Sequence, residues 1–344
     1  DTYFLLISSL LSLISGYYIF ALYNKNFRSS PAEVPVIEVN QVLLAKMVVV
    51  LSFFSAIGGL LTVYVVGSNL GGMDIYLNRP LMVRQFIVSV QSGDQQVSQL
   101  YRLGGYMANI GFLSMVLGGI LFANKGKIRL WGIFPFITML IAQFAVMGRY
   151  SFVTGVIFFF VSFILFSYFL SSEQRKMRLL EIFSYSLVSI VTVLALSYVV
   201  LKLRSPLADN IIAIVKETGY LYFSGGLSAL DNFIASDFHT TYGESSFRTV
   251  FKWLARFGIW PEESVFQTHN DFVKVSPTYR INTYTFIQSL YQDFTFYGLI
   301  VLTFVWGALT NYSIYKVYNR FTITNVVIAS VFIFSLIISF FSFY

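Results

Sequence analysis

The sequence predicts an all-α, polytopic bundle of membrane-spanning helices with one large extracytoplasmic loop. Three observations carry that expectation. Of 344 residues, 56% are hydrophobic and only 11% charged, and mean hydropathy is +0.71, whereas a soluble domain needs about a quarter charged residues for its surface. Long uncharged runs recur along the chain, and within a bilayer every backbone N–H and C=O must be satisfied internally, which selects helices. The period-two alternation of a membrane barrel is missing.

A span takes about 20 mostly apolar residues, and eight stretches meet this, roughly 3–23, 42–66, 105–123, 130–147, 150–170, 183–203, 296–315 and 323–343. At least eight spans are therefore expected. The chain opens at Asp1 rather than Met and stops at Tyr344 within an apolar run, so further helices are expected beyond its ends. The first run is long enough to span and has no small-residue cleavage signal, which reads as a helix rather than a signal peptide. Only Gly148 and Arg149 separate the fourth and fifth runs, as in a tight helical hairpin.

Orientation follows from the short loops, where Lys and Arg stay cytoplasmic. Lys25 and Arg28, then Lys125, Lys127 and Arg129, then Arg175, Lys176 and Arg178, then Lys316 and Arg320 fall on one side of a single alternation. With Lys46, that face holds 11 bases against Glu33, Glu38, Glu173 and Glu181, which accounts for the whole formal charge of +7. The opposite face holds 12 bases against 11 acids. It is balanced, so no nucleic-acid partner is implied. The expected organisation is residues 1–203 as spanning helices with an external segment near 67–104, residues 204–293 as a large external loop with short helices, and residues 294–344 as the closing spans.

Cysteine is absent, which excludes disulfides, thiolate metal sites and cysteine nucleophiles. Two histidines argue against a dedicated zinc site, and no cofactor is expected. Aromatics make up 19% of the chain, but only those near the polar loop bear on function. Arg149 stands out because a cation at membrane depth costs a few kcal/mol unless it is paired.

Within the polar segment, Ile211, Ile212, Val215, Tyr220, Leu221 and Phe223 suggest a helix lying on the bundle, interrupted by Ser224, Gly225 and Gly226. The Gly pair fits either a plain turn or a close backbone approach to a ligand. Asp231, Asp237, His239 and Glu244 follow. Arg248, Lys252 and Arg256 then repeat at four-residue spacing and share a helix face, a face that can hold phosphate or simply be solvated. Residues 260–279 read as a mobile loop, the kind of segment that serves as a lid.

The densest polar string is Arg280 to Gly298, RINTYTFIQSLYQDFTFYG. Arg280, Asn282, Thr283 and Tyr284 precede a helix, and Tyr291 and Asp293 fall at its outer end. Thr283 or Asn282 fits an N-cap. Together the residues also suit a phosphate and sugar hydroxyls, since Arg presents a planar fork to phosphate oxygens, Asp accepts from hydroxyls and Tyr stacks on a sugar face.

On three strings the chain resembles the Wzy-type polymerases of oligosaccharide repeat units, which build O-antigen and capsule in bacteria. They are MGRYSF with Gly148 and Arg149, GYLYFSGGLSAL with Tyr220, Gly225 and Gly226, and NTYTFIQSLYQDFTFYG with Asn282, Tyr284, Tyr291, Asp293 and Gly298. The likeness covers roughly 148–307, and the order of the strings gives it specificity. It departs at Thr295, where the family pattern has Gly after the Asp-Phe pair.

The resemblance implies a GT-C-like, metal-independent glycosyltransferase of the bacterial inner membrane with its active site facing the periplasm. A glycan grown on undecaprenyl pyrophosphate would pass to a new lipid-linked repeat unit, releasing undecaprenyl pyrophosphate. Arg149, Arg280, Arg248 and Arg204 would stabilise the departing pyrophosphate. His239, or Asp293, would take the acceptor's proton, Asp293 being equally able to hold an arginine. Tyr220, Asn282, Tyr284 and Tyr291 would contact sugar, and Gly225 and Gly226 would admit it to the backbone. The implied partners are the lipid-linked donor and acceptor, membrane lipid, a chain-length regulator and a flippase. An O-antigen ligase, a flippase of lipid-linked sugars and a non-catalytic assembly scaffold remain the competing readings.

Overall fold

The computed structural model describes residues 2–27, 40–92, 97–124, 127–145, 150–170, 184, 195, 226–236, 239–261, 273–274, 280–281 and 286–338. Helices α1 (Thr2–Phe27), α2 (Gln41–Asn69), α3 (Met73–Asn78), α4 (Pro80–Ser92) and α5 (Gln99–Ala123) come first. A 3-10 turn (Lys127–Ile133), α6 (Phe134–Ala145) and α7 (Tyr150–Ser167) follow. After a helical stretch at 226–234 come α8 (Arg248–Arg256), strands β1 (Val273–Lys274) and β2 (Arg280–Ile281), α9 (Phe286–Asn319) and α10 (Ile323–Ile338).

Among the described residues, four helices are long and apolar enough to cross a membrane, within α1, α2, α5 and α9. They mark a membrane protein. Large apolar side chains such as Phe4, Leu11, Phe53 and Leu60 stand exposed on them, as lipid-solvated surface requires. The expected spans at 3–23, 42–66, 105–123 and 296–315 fall on these helices.

The stretch expected to span at 130–147 takes another form. Its first residues form the 3-10 turn and α6 covers Phe134–Ala145, while positions 146 and 147 lie outside the described residues. Pro135 supplies the reason, because a residue without an N–H is tolerated only in a helix's first turn and so fixes the start of α6. The α7 and α10 helices, with 18 and 16 residues, are apolar but shorter than the four. The expected span at 183–203 and the Gly148–Arg149 hairpin lie outside the described residues, apart from positions 184 and 195.

By its own contacts the chain divides into two compact units. One comprises Pro31–Ile211 and Lys316–Phe334. Its core joins Leu44 and Val48 of α2, Met115 to Phe122 of α5, Phe158 to Phe166 of α7, and Val326 and Ala329 of α10. Helix backbones meet where side chains are smallest: a Cβ on Gly58 would lie 2.4 Å from Ala108 N, and one on Gly119 2.3 Å from the Phe159 carbonyl oxygen, the small-residue packing typical of membrane helices.

The segment near 67–104 contains two helices of its own. Gly71 and Gly72, at φ 98° and 137°, turn the chain out of α2. Val83, Phe86 and Ile87 of α4 then bury themselves with Tyr76 against Val66, and burial pushes the Tyr76 phenol up to about 12.

The second unit comprises Asp1–Ser30, Ile212–Tyr315 and Ser335–Tyr344. Here α1 lies against α9: a Cβ on Gly16 would sit 2.0 Å from the Phe304 carbonyl oxygen, and one on Gly307 2.1 Å from that of Leu13. The Ser12 hydroxyl donates to the Ile300 carbonyl at 2.6 Å. Phe4 stacks on Phe296 and Phe20 meets Tyr312 edge-on. Leu5, Leu230, Ile287, Leu290 and Leu299 form a small apolar core that fixes 226–234 to this pair.

Candidate functional site

Of the polar residues singled out by sequence, Tyr291 and Asp293 lie on the N-terminal part of α9. This helix bends at Thr295, whose backbone takes φ 59° and ψ −166°, so residues 286–294 leave the line of the rest. Gly298 makes room for the bend, since a Cβ there would come within 2.2 Å of the Phe294 Cβ. Asp293 sits just before the bend and is only 1% exposed.

Three donors meet its carboxylate. The Thr241 hydroxyl and the Ser245 N–H (3.1 Å) reach Oδ1, and the Ser246 N–H reaches Oδ2 at 2.6 Å. Such convergence is possible because Tyr242 (φ 48°) and Gly243 (φ 102°) both take positive φ. A turn of this kind aims successive N–H groups at one point, as anion-binding nests do. Here the anion is supplied by the protein itself.

The loop around that anchor has its own internal order. The Trp260 indole N–H donates to Glu244 Oε1 at 2.7 Å, and the Trp260 ring lies edge-on to Phe251 at 4.9 Å. Phe247 meets Phe294 at 6.2 Å. A tether, a turn and a short helix are thereby joined to α9.

His239 is exposed, two residues before Thr241, whose hydroxyl bonds to the Asp293 carboxylate. Arg248 opens α8 directly after the anchored turn, and Lys252 and Arg256 follow on its face. Tyr291 is half-buried against the Leu5–Leu230–Ile287 core. Gly226 is buried and is the first described residue of the helical stretch 226–234. Arg280 lies in β2, paired with Lys274 of the antiparallel partner strand, so the stretch expected as an irregular loop contains a small ladder. Arg149, Arg204, Tyr220, Gly225, Asn282 and Tyr284 lie outside the described residues.

Sequence reasoning missed Thr241, Ser245 and Ser246. Their signal was TYGESS, a cluster of turn-forming residues ahead of the basic helix. No protein-family model, curated protein or solved structure matches this chain.

Proposed function

We propose that the chain is a membrane-embedded polymerase of lipid-linked oligosaccharide repeat units, of the kind its sequence resembles. The observation that supports this reading is the anchored loop: a buried carboxylate on a helix long enough to span a membrane is bonded to Thr241, Ser245 and Ser246, in the stretch that runs from His239 into a basic helix.

In the reaction, a hydroxyl of the incoming repeat unit attacks the anomeric carbon of the growing glycan. The new C–O bond forms as the bond to undecaprenyl pyrophosphate breaks. His239, exposed at the loop's edge, accepts the hydroxyl proton. The leaving diphosphate takes the electron pair, and its charge would be met by the arginines that the resemblance implies, since cations lower the barrier without transferring a proton. Asp293 acts as a positioning residue that sets the loop.

Purified protein given a lipid-linked repeat unit tests this directly. Chain growth is expected from the natural sequence, and single repeats without long chains from Arg149→Ala or Arg280→Ala. Transfer across a vesicle without growth would indicate a flippase, and transfer to a non-repeat acceptor a ligase. Long chains at normal protein level from either Arg variant would remove the assignment.

A further inference from the structure

Helix α8 has three faces. Phe251, Leu254 and Ala255 turn partly inward, Phe251 resting on Trp260. Positions 248, 252 and 256 place Arg, Lys and Arg along a second face at four-residue spacing. The third face points away from the protein: Val250, Trp253 and Phe257 are 55%, 59% and 72% exposed, at spacings of three and four. Tyr242, Phe247 and Ile259, at the two ends of the helix, are exposed as well.

An exposed apolar face on a helix that also carries three basic positions along one flank marks a contact site. With 9 residues, α8 is about 14 Å long, too short to cross a bilayer. Its make-up instead matches helices that lie in the interface, aromatic and aliphatic groups sunk at the headgroup boundary and Lys and Arg among the phosphates. The tether supplies the location, because the preceding turn is fastened to Asp293, inside the span-length stretch Ile287–Asn319 of α9. A helix held that close to a spanning segment has the bilayer surface as its neighbour.

We propose that α8 docks on the anionic lipid surrounding the protein, with Val250, Trp253 and Phe257 inserted below the headgroups and positions 248, 252 and 256 at lipid phosphates. The docking shares only position 248 with the proposed glycan chemistry, and its test reads depth in lipid rather than glycan transfer. It would hold the loop that begins at His239 at the level of the headgroups.

The chain has no cysteine, so Val250→Cys and Phe257→Cys each give a single thiol for a nitroxide label. The full chain is reconstituted in phosphatidylcholine vesicles with or without phosphatidylglycerol, and spin relaxation is compared for oxygen, which concentrates in lipid, and a nickel chelate, which stays in water. Oxygen access is expected to exceed nickel access severalfold at both positions, and the ratio to rise when phosphatidylglycerol is added. Nickel access equal to or above oxygen at both positions overturns the docking. Exclusion of both reagents overturns it in favour of a second copy or another protein over this face. A ratio unchanged by phosphatidylglycerol overturns the role given to the basic positions.

Discussion

Around Phe122, the unit formed by Pro31–Ile211 and Lys316–Phe334 is packed by rings: Phe122 lies 5.8 Å from Phe159 and 5.9 Å from Phe163, and Phe136 lies 4.8 Å from Phe159. Around Asp293, the unit of Asp1–Ser30, Ile212–Tyr315 and Ser335–Tyr344 adds to its rings and small apolar core a set of specific polar and backbone contacts: one carboxylate with three donors, one serine on a carbonyl, two glycines against a neighbouring backbone. Dispersion spread over many carbon contacts degrades gradually, since each pair contributes only about 0.1–0.2 kcal/mol. A buried charge with three donors does not. The ring-packed unit therefore suits a scaffold tolerant of change, and the other suits a site whose geometry depends on single groups.

The largest expected effect comes from Asp293→Ala. It leaves the part-buried N–H groups of Ser245 and Ser246 without their acceptor, and a donor stranded away from water costs about 1–3 kcal/mol. We expect the segment 239–261 to become the first site of limited proteolysis while the Phe122 core keeps its protection against hydrogen exchange. Asp293→Asn should be almost as damaging, because its NH2 group faces a donor where an oxygen accepted. Equal loss of protection in both units would erase the distinction drawn between them.

Next comes the helix pair. Gly307→Ala places a methyl 2.1 Å from the Leu13 carbonyl oxygen, so α1 and α9 must separate locally, at an overpacking cost of about 1–3 kcal/mol. Cysteines introduced at Ser12 and Ile300, whose hydroxyl and carbonyl meet at 2.6 Å, are expected to cross-link rapidly in the natural background and slowly with Gly307→Ala. Unchanged cross-linking would mean that rings such as Phe4 and Phe296 hold this pair as firmly as the glycines do.

Much of the fold was legible because lipid imposes a simple rule: apolar runs of span length become helices, and α1, α2, α5 and α9 follow it. Within 130–147 the outcome is more particular, because Pro135 divides one apolar run between a 3-10 turn and helix α6. The rule says nothing of α3 and α4, whose alternation of buried Val83, Phe86 and Ile87 with exposed Leu81 and Met82 is too short to read as a span. The site was half legible. Asp293 and His239 announce themselves as polar residues beside apolar helix, but the turn that brings the Ser245 and Ser246 N–H groups to Asp293 depends on the backbone of Tyr242 and Gly243, and a positive φ at a tyrosine leaves no mark in composition or spacing. Thr295 left a mark of a different kind, as the position where the resembled family's pattern has Gly.

That residue carries the smallest prediction and the sharpest. A β-branched side chain at φ 59° and ψ −166° occupies backbone space that is nearly reserved for glycine, at a cost of about 1–3 kcal/mol. Thr295→Gly removes that cost but frees the unfolded chain, which offsets about 0.5–1 kcal/mol. The balance is a gain of about 1 kcal/mol, read as a higher midpoint for loss of structure in detergent. Thr295→Ala separates backbone from side chain, because it deletes the hydroxyl and methyl yet keeps a Cβ in the same strained place. If the bend is strained, Gly stabilises and Ala does not; if the Thr side chain is what matters, the two variants behave alike. The bend also sets the direction in which Asp293 leaves α9, so the Gly variant asks whether the anchored loop depends on strain or merely tolerates it. Retained protease resistance of 239–261 in Thr295→Gly is expected, because the three donors to Asp293 hold the turn without help from the residue that follows.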